Sequence, residues 1–166
     1  MRHPLVRLLS AYRNKFVEPN PIYPKHIGTK IIQRYRPGAS LESQTKGHDV
    51  QFHEFVQYLI DTGKAHKHFD QHWAPYEQLC DPCAIRYDGI MKLESLNQDF
   101  KQIKDEIYPG IEAANIPPMY KNHTNNEMIR TYYANLDPTL LQELTELYRD
   151  DFTMYGYEPD LDSVLR

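Results

Sequence analysis

The sequence predicts a helix-rich α/β domain, and three observations carry that prediction. Apolar residues recur at helical spacing near the start, the middle and the end of the chain. One short apolar run, Ile85-Arg86-Tyr87-Asp88-Gly89-Ile90-Met91, reads as a strand and hands over to a helix start at Ser95, the βα step of an α/β fold. The 166 residues, 40% of them hydrophobic and rich in Tyr (13) and Phe (6), suffice for one core, so residues 1–166 are expected to form a single domain. Only seven Gly, no lasting heptad and this aromatic content exclude collagen-like, coiled-coil and disordered classes.

The first helix is predicted over residues 4–17, with Leu5, Leu8, Leu9, Tyr12 and Phe16 on its apolar stripe and Pro4 in the first turn, where a missing N–H costs nothing. Pro19 and Pro21 forbid its continuation. Residues 22–46 read as basic loop with one short helix. A second main helix is expected at about residues 50–61, capped by Asp49, with Phe52, Phe55, Val56, Leu59 and Ile60 inward and Gly63 ending it. Ser95-Leu96-Asn97-Gln98 has the form of a capping box, opening a helix to about Ile107. Pro109-Gly110 and Pro117-Pro118 punctuate a loop. Asn125 or Asn126 caps the next helix, Asp137-Pro138 opens another, and Leu140, Leu141, Leu144, Leu147, Tyr148 and Phe152 line its buried face up to Gly156. With so few strand signals, the sheet looks incomplete for the helices available to cover it.

Charge divides the chain. Residues 1–48 carry nine Lys/Arg against two Asp/Glu, and residues 49–166 carry ten against 21. The basic third suits an anionic partner such as a phosphate-bearing cofactor or a polyanionic sugar, although a solvated basic face reads the same way. Nucleic acid is not expected, because no recognition motif accompanies the charge and the remainder is acidic. No apolar run approaches the roughly 20 residues of a membrane span, and no secretory signal follows Met1.

The opening segment Arg2-His3-Pro4-Leu5-Val6-Arg7-Leu8-Leu9-Ser10-Ala11-Tyr12 holds the clearest chemical signal. A guanidinium ahead of a helix, a hydroxyl two turns in and free N–H groups in the first turn converge on a phosphate, yet ordinary decoration of a helix end would look alike. The segment resembles the 3′-phosphate-binding motif of Golgi carbohydrate sulfotransferases. Gly28-Thr29-Lys30-Ile31-Ile32, Tyr58-Leu59-Ile60-Asp61, His72-Trp73, Leu79-Cys80 with Pro82-Cys83, Tyr87-Asp88 and Asp151-Phe152 follow in the order of the chondroitin 4-O-sulfotransferase branch.

The resemblance implies a sulfotransferase domain of P-loop-kinase-like α/β fold, present as its helix-rich C-terminal portion with an incomplete parallel sheet. It implies transfer of a sulfuryl group from 3′-phosphoadenosine 5′-phosphosulfate to a glycosaminoglycan hydroxyl, most plausibly the 4-hydroxyl of N-acetylgalactosamine in chondroitin. Arg2 and Ser10 would hold the donor's 3′-phosphate, with His3, Pro4, Leu5, Val6, Arg7, Leu8 and Leu9 shaping that site. Lys30, Arg34 and Arg36 would meet the acceptor, and Lys121, His123 and Arg130 are weaker anion contacts. His72 is the first choice for general base, against a purely structural histidine.

Departures accompany the matches. His3, Leu5 and Val6 stand where the family has acidic, aromatic and Glu residues, and Leu93 and Ser95 stand where Tyr and Thr are usual, so an adenine contact from that side chain is not carried over by the resemblance. Nothing matches the family's membrane anchor or its 5′-phosphosulfate loop. This chain is therefore expected to be catalytically poor alone, and a non-enzymatic remnant that binds nucleotide or another anion is the alternative. In the full-length form the resemblance implies a Golgi-lumen protein that meets the membrane only through that anchor, with glycosylation at Asn122 of Asn122-His123-Thr124. Cys80-Asp81-Pro82-Cys83 is expected to form a buried disulfide on the strength of the resemblance. Zinc with His66, His68 and His72 and free thiols are the other readings, and no metal cofactor is implied.

Overall fold

The computed structural model describes residues 1–107 and 124–164. Helices run in the order α1 (Pro4–Tyr12), a π-helical turn (Arg13–Val17), a second π-helical turn (Pro24–Gly28), α2 (Thr29–Tyr35), α3 (Leu41–Lys46), α4 (Phe52–Lys64) and α5 (Tyr76–Cys80). After these come α6 (Leu96–Ile107), α7 (Asn126–Ala134), α8 (Pro138–Leu147), α9 (Arg149–Tyr155) and α10 (Leu161–Val164).

The helix starts follow their local chemistry. Pro4 occupies the first turn of α1. The Asn125 and Asp137 side chains accept from the Met128 and Thr139 amides and cap α7 and α8. The cap of α4 is Gln51, two residues beyond the expected Asp49, because Glu54 closes a capping box by accepting from the Gln51 amide at 2.8 Å. Gly63 lies inside α4 and does not end it. Gly156 closes α9 at φ 60. At α6 the expected partner Gln98 is replaced by Asp99, whose carboxylate accepts from the Ser95 hydroxyl at 2.9 Å and the Lys92 amide at 2.7 Å.

The core is helix against helix. Leu5, Leu8, Leu9, Tyr12 and Phe16 meet Ile31 and Ile32 of α2, Phe55, Val56 and Leu59 of α4, Trp73, Tyr133 of α7, and Leu144, Tyr148 and Phe152 from the C-terminal helices. Tyr12 lies edge-on to Phe52 and Tyr132, and its hydroxyl donates to the buried Val50 carbonyl at 2.7 Å. Close backbone contact joins the second π-helical turn to the end of α3, where a Cβ on Gly28 would sit 2.2 Å from the Gly47 carbonyl oxygen.

The expected strand is corrected. Residues 85–91 have no regular secondary structure, and no strand occurs among the described residues. Ile85, Tyr87, Ile90 and Met91 are exposed, so the apolar run has no neighbouring strand to bury it. What exists is one rung. The Met1 amino group donates to the Met91 carbonyl at 2.5 Å and the Leu93 amide donates to the Met1 carbonyl at 2.7 Å, the hydrogen-bond pattern of parallel neighbours.

The buried disulfide is corrected too: Cys80 and Cys83 are free thiols, and Cys83 is exposed. A left-handed Asp81 (φ 43) turns the chain between them, and hydrogen bonds to the Asp81 and Cys80 carbonyls secure the turn. No set of three His, Cys, Asp or Glu side chains gathers for a metal among the described residues, and no described helix is long and apolar enough to cross a membrane. Asn122, Lys121 and His123 lie outside the described residues.

Candidate functional site

The apolar stripe of α1 faces the core, which turns its polar stripe outward. Arg7, Ser10, Ala11, Asn14 and Glu18 recur at three- and four-residue spacing, and with Arg2, Arg13, Lys15 and His72 they line a cavity of about 470 Å³. Four cationic side chains thus share one hollow with a single carboxylate, a field that favours an anion. The π-helical turn that continues α1 carries Arg13 and Lys15 to the same wall as Ser10.

Arg2 and Ser10 line this cavity together. Neither the Arg2 guanidinium nor the Ser10 hydroxyl makes a hydrogen bond among the described residues, so both are available to a ligand. Burial lowers the Arg2 pKa from its ordinary value and Glu94 works against that, leaving a partly desolvated cation whose field is little screened. Its backbone amide donates to the Tyr76 hydroxyl at 3.0 Å, which fixes the residue ahead of the helix.

Arg7 faces the same cavity but is already engaged. Its Nη2 donates to the Ala74 carbonyl at 2.8 Å and lies 3.4 Å from the fully buried Asp151 carboxylate, while the guanidinium stacks 4.3 Å over the Tyr76 ring. Asp151 also accepts from the Tyr76 amide at 2.7 Å. One carboxylate therefore ties α9 to α1 and to the segment carrying His72, Trp73 and Tyr76.

The residues between Arg2 and Ser10 divide differently from the expectation. Pro4, Leu5, Leu8 and Leu9 are buried in packing, because a helix one face of which covers the core cannot present all its residues to a ligand. His3 and Val6 instead line a second cavity of about 560 Å³ with Lys92, Leu93, Glu94 and Tyr157. The His3 ring is buried, burial lowers its pKa below 6.5, and its Nε2 donates to the Glu158 carbonyl at 3.0 Å.

Among the residues expected to meet the acceptor, Lys30 is exposed. Arg34 is also exposed and pairs with Asp61 at 2.6 Å. Arg36 is taken by Glu54 and Asp49 at 2.7 and 2.8 Å, with hydrogen bonds to Glu54 leading the causes that hold its pKa above the ordinary value. It braces the α2–α4 contact. Arg130 sits exposed on α7.

His72 lies on the cavity wall, and its surroundings were not legible from sequence. Its Nδ1 is 2.6 Å from Asp70 Oδ1 and 2.9 Å from the Tyr23 hydroxyl, which also donates to Asp70 Oδ2 at 3.1 Å. Asp70, Tyr23, Tyr76 and Asp151 join the site through chain segments distant from α1, so no spacing pattern announces them. Arg13 and Lys15 did have a signal: they continue the polar side of α1.

Comparison with known proteins follows this geometry. The Sulfotransferase family profile matches residues 1–158. The chain is 38% identical to carbohydrate sulfotransferase 11 of Mus musculus, over 95% of this chain and 45% of that protein. It is 37% identical to carbohydrate sulfotransferase 14 of Danio rerio, over 95% of this chain and 42% of that protein. With carbohydrate sulfotransferase 9 of Homo sapiens it shares 35% identity, over 95% and 36%. The chain spans less than half the length of these relatives, and no solved structure matches it. A cation-lined cavity whose free guanidinium and hydroxyl come from one motif, within a match covering nearly every residue, makes this chain a member of the Sulfotransferase family.

Proposed function

We propose that this chain binds the nucleotide sulfate donor 3′-phosphoadenosine 5′-phosphosulfate through its 3′-phosphate and serves sulfuryl transfer to a carbohydrate hydroxyl, the 4-hydroxyl of N-acetylgalactosamine in chondroitin being the acceptor position favoured. One observation carries this reading: the Arg2 guanidinium and the Ser10 hydroxyl, neither hydrogen-bonded among the described residues, line the same cation-rich cavity. The guanidinium would take the phosphate oxygens by charge-assisted hydrogen bonds and the hydroxyl would fix their orientation. Arg13 and Lys15 add charge, and Lys15 is steadied 4.7 Å over the Tyr23 ring. The donor brings the activated sulfuryl group, and what these residues supply is grip at the far end of the nucleotide. Exposed Lys30 and Arg34, on the same basic third of the chain, suit a polyanionic acceptor. The relatives' names support the carbohydrate as acceptor class. A setting in the Golgi lumen accords with that substrate.

The test is calorimetric titration with adenosine 3′,5′-bisphosphate. Arg2→Ala should weaken binding by about tenfold to a hundredfold, the worth of a hydrogen bond to a charged group, and Ser10→Ala by about fivefold to tenfold. Unchanged affinity in a folded Arg2→Ala protein overturns the reading. Labelled donor with desulfated chondroitin then separates the transferase from a remnant that binds nucleotide without turnover.

A further inference from the structure

We propose that His72 is a further anion ligand of this cavity, gripping the phosphate as an imidazolium held by Asp70, so that nucleotide binding takes up a proton. The inference rests on the donor-site reading above and adds to it a residue and a proton.

The hydrogen bonds fix which ring nitrogen titrates. The Asp70 carboxylate accepts at Oδ1 from both the His72 amide (2.9 Å) and His72 Nδ1 (2.6 Å). A carboxylate cannot donate, so Nδ1 carries a hydrogen in either charge state. Tyr23 spends its own hydrogen on Asp70 Oδ2 and leaves its oxygen, 2.9 Å away, as a second acceptor for Nδ1–H. Asp70 stays ionised: burial pushes its pKa up, but the hydrogen bonds from His72 and Tyr23 outweigh this and hold it below the ordinary carboxylate value. The ring is thereby locked with Nε2 as the nitrogen that gains or loses a proton, and Nε2 has no hydrogen bond among the described residues.

What His72 faces decides when that proton is held. Asp70 and the neutral Tyr23 stand behind it, the Trp73 ring lies beside it, and across the cavity are Arg2, Arg7, Arg13, Lys15 and the single acid Glu18. Two of those cations are already paired, Arg7 with Asp151 at 3.4 Å and Arg13 with Glu18 at 3.9 Å. A bound phosphate offers an oxygen to Nε2–H, a hydrogen that this locked ring carries only as the imidazolium. Neutral Nε2 would instead point a lone pair at that oxygen. Protonation and anion binding therefore favour each other, and by reciprocity each shifts the other equally.

The experiment is titration with adenosine 3′,5′-bisphosphate between pH 5.5 and 8, repeated in two buffers of different ionisation enthalpy to count protons. Wild type should take up more protons on binding than His72→Gln does, and lose about tenfold in affinity from pH 6 to 8 relative to it, the worth of one charge-assisted hydrogen bond. The ligand phosphate's own ionisation near pH 6 is common to both proteins and cancels in the comparison. Asp70→Asn should reduce the uptake, whereas Ser10→Ala should weaken binding at every pH and leave the uptake intact. A folded His72→Gln protein with the wild-type proton count and pH profile overturns this inference while leaving the donor site standing. Absence of nucleotide binding by wild type at any pH overturns the donor site itself, and this inference with it.

Discussion

The two sides of this molecule both carry large apolar residues, and they bury them to different extents. Around α1, α4, α8 and α9, side chains such as Leu5, Phe55, Trp73, Leu144 and Tyr148 are fully enclosed. Between residues 81 and 107 not one residue is buried, although that span contains Ile85, Tyr87, Ile90, Met91, Phe100 and Ile103. An amphipathic helix carries its hydrogen bonds within itself and needs only a face to lean on. A strand needs a neighbour for every backbone group, and here one rung at Met1 stands for the whole ladder. The contrast shows where the site gets its rigidity: Arg7, Tyr76 and Asp151 fix one part of the cavity wall on the packed side, and the open segment contributes only the backbone bonds to Met1 and the Glu94 carboxylate that accepts from the His3 amide at 2.8 Å.

The most damaging way to test that difference is to cut the tie. Asp151 is fully buried and partners Arg7 and the Tyr76 amide, so Asp151→Asn leaves a guanidinium 13% exposed without its counter-charge. Denaturant unfolding should show a loss of about 3 kcal/mol, the low end for breaking a buried pair. A loss below about 1 kcal/mol would mean that the packed side does not depend on this junction.

That junction also marks how far the sequence could be read. The helices around Leu5–Phe16, Phe52–Ile60 and Leu140–Phe152 were legible because their information is local: stripe, cap and proline lie within a few residues of each other. That Arg2 and Ser10 share a cavity follows from equally local information, Arg2 lying just ahead of α1 and Ser10 two turns into it. Asp151 and Arg7 are 144 residues apart and Asp70 meets Tyr23 across 47, distances over which no periodicity speaks. The strand failed for the converse reason: an apolar run is a local pattern, but a ladder needs a distant neighbour, and among the described residues only Met1 lies alongside it. Arg36 shows a third limit: a basic residue in a basic run looks available to a polyanion until Glu54 and Asp49 are found on it.

A smaller effect sharpens the comparison through pH. His3 is buried on the packed side and burial lowers its pKa below 6.5. The unfolded chain takes a proton near pH 6.5 that the native ring resists, so the unfolded state binds more protons and stability falls as pH drops through that value. His3→Gln should flatten the stability profile between pH 7 and 5.5 in thermal unfolding. An unchanged slope would assign the acid sensitivity to other groups.

The smallest expected effect is the most telling about the open side. Ile90 lies in the segment predicted as a strand and is 44% exposed. In a sheet covered on both faces, replacing such a residue by serine would remove most of a buried side chain and cost about 2–3 kcal/mol or more. On the surface described here it should cost no more than about 0.5 kcal/mol. Ile90→Ser is therefore expected to leave the unfolding midpoint and its denaturant slope nearly unchanged. A loss of 2 kcal/mol would show that this run is packed in solution, and the line drawn between the two sides of the molecule would have to move past residue 91.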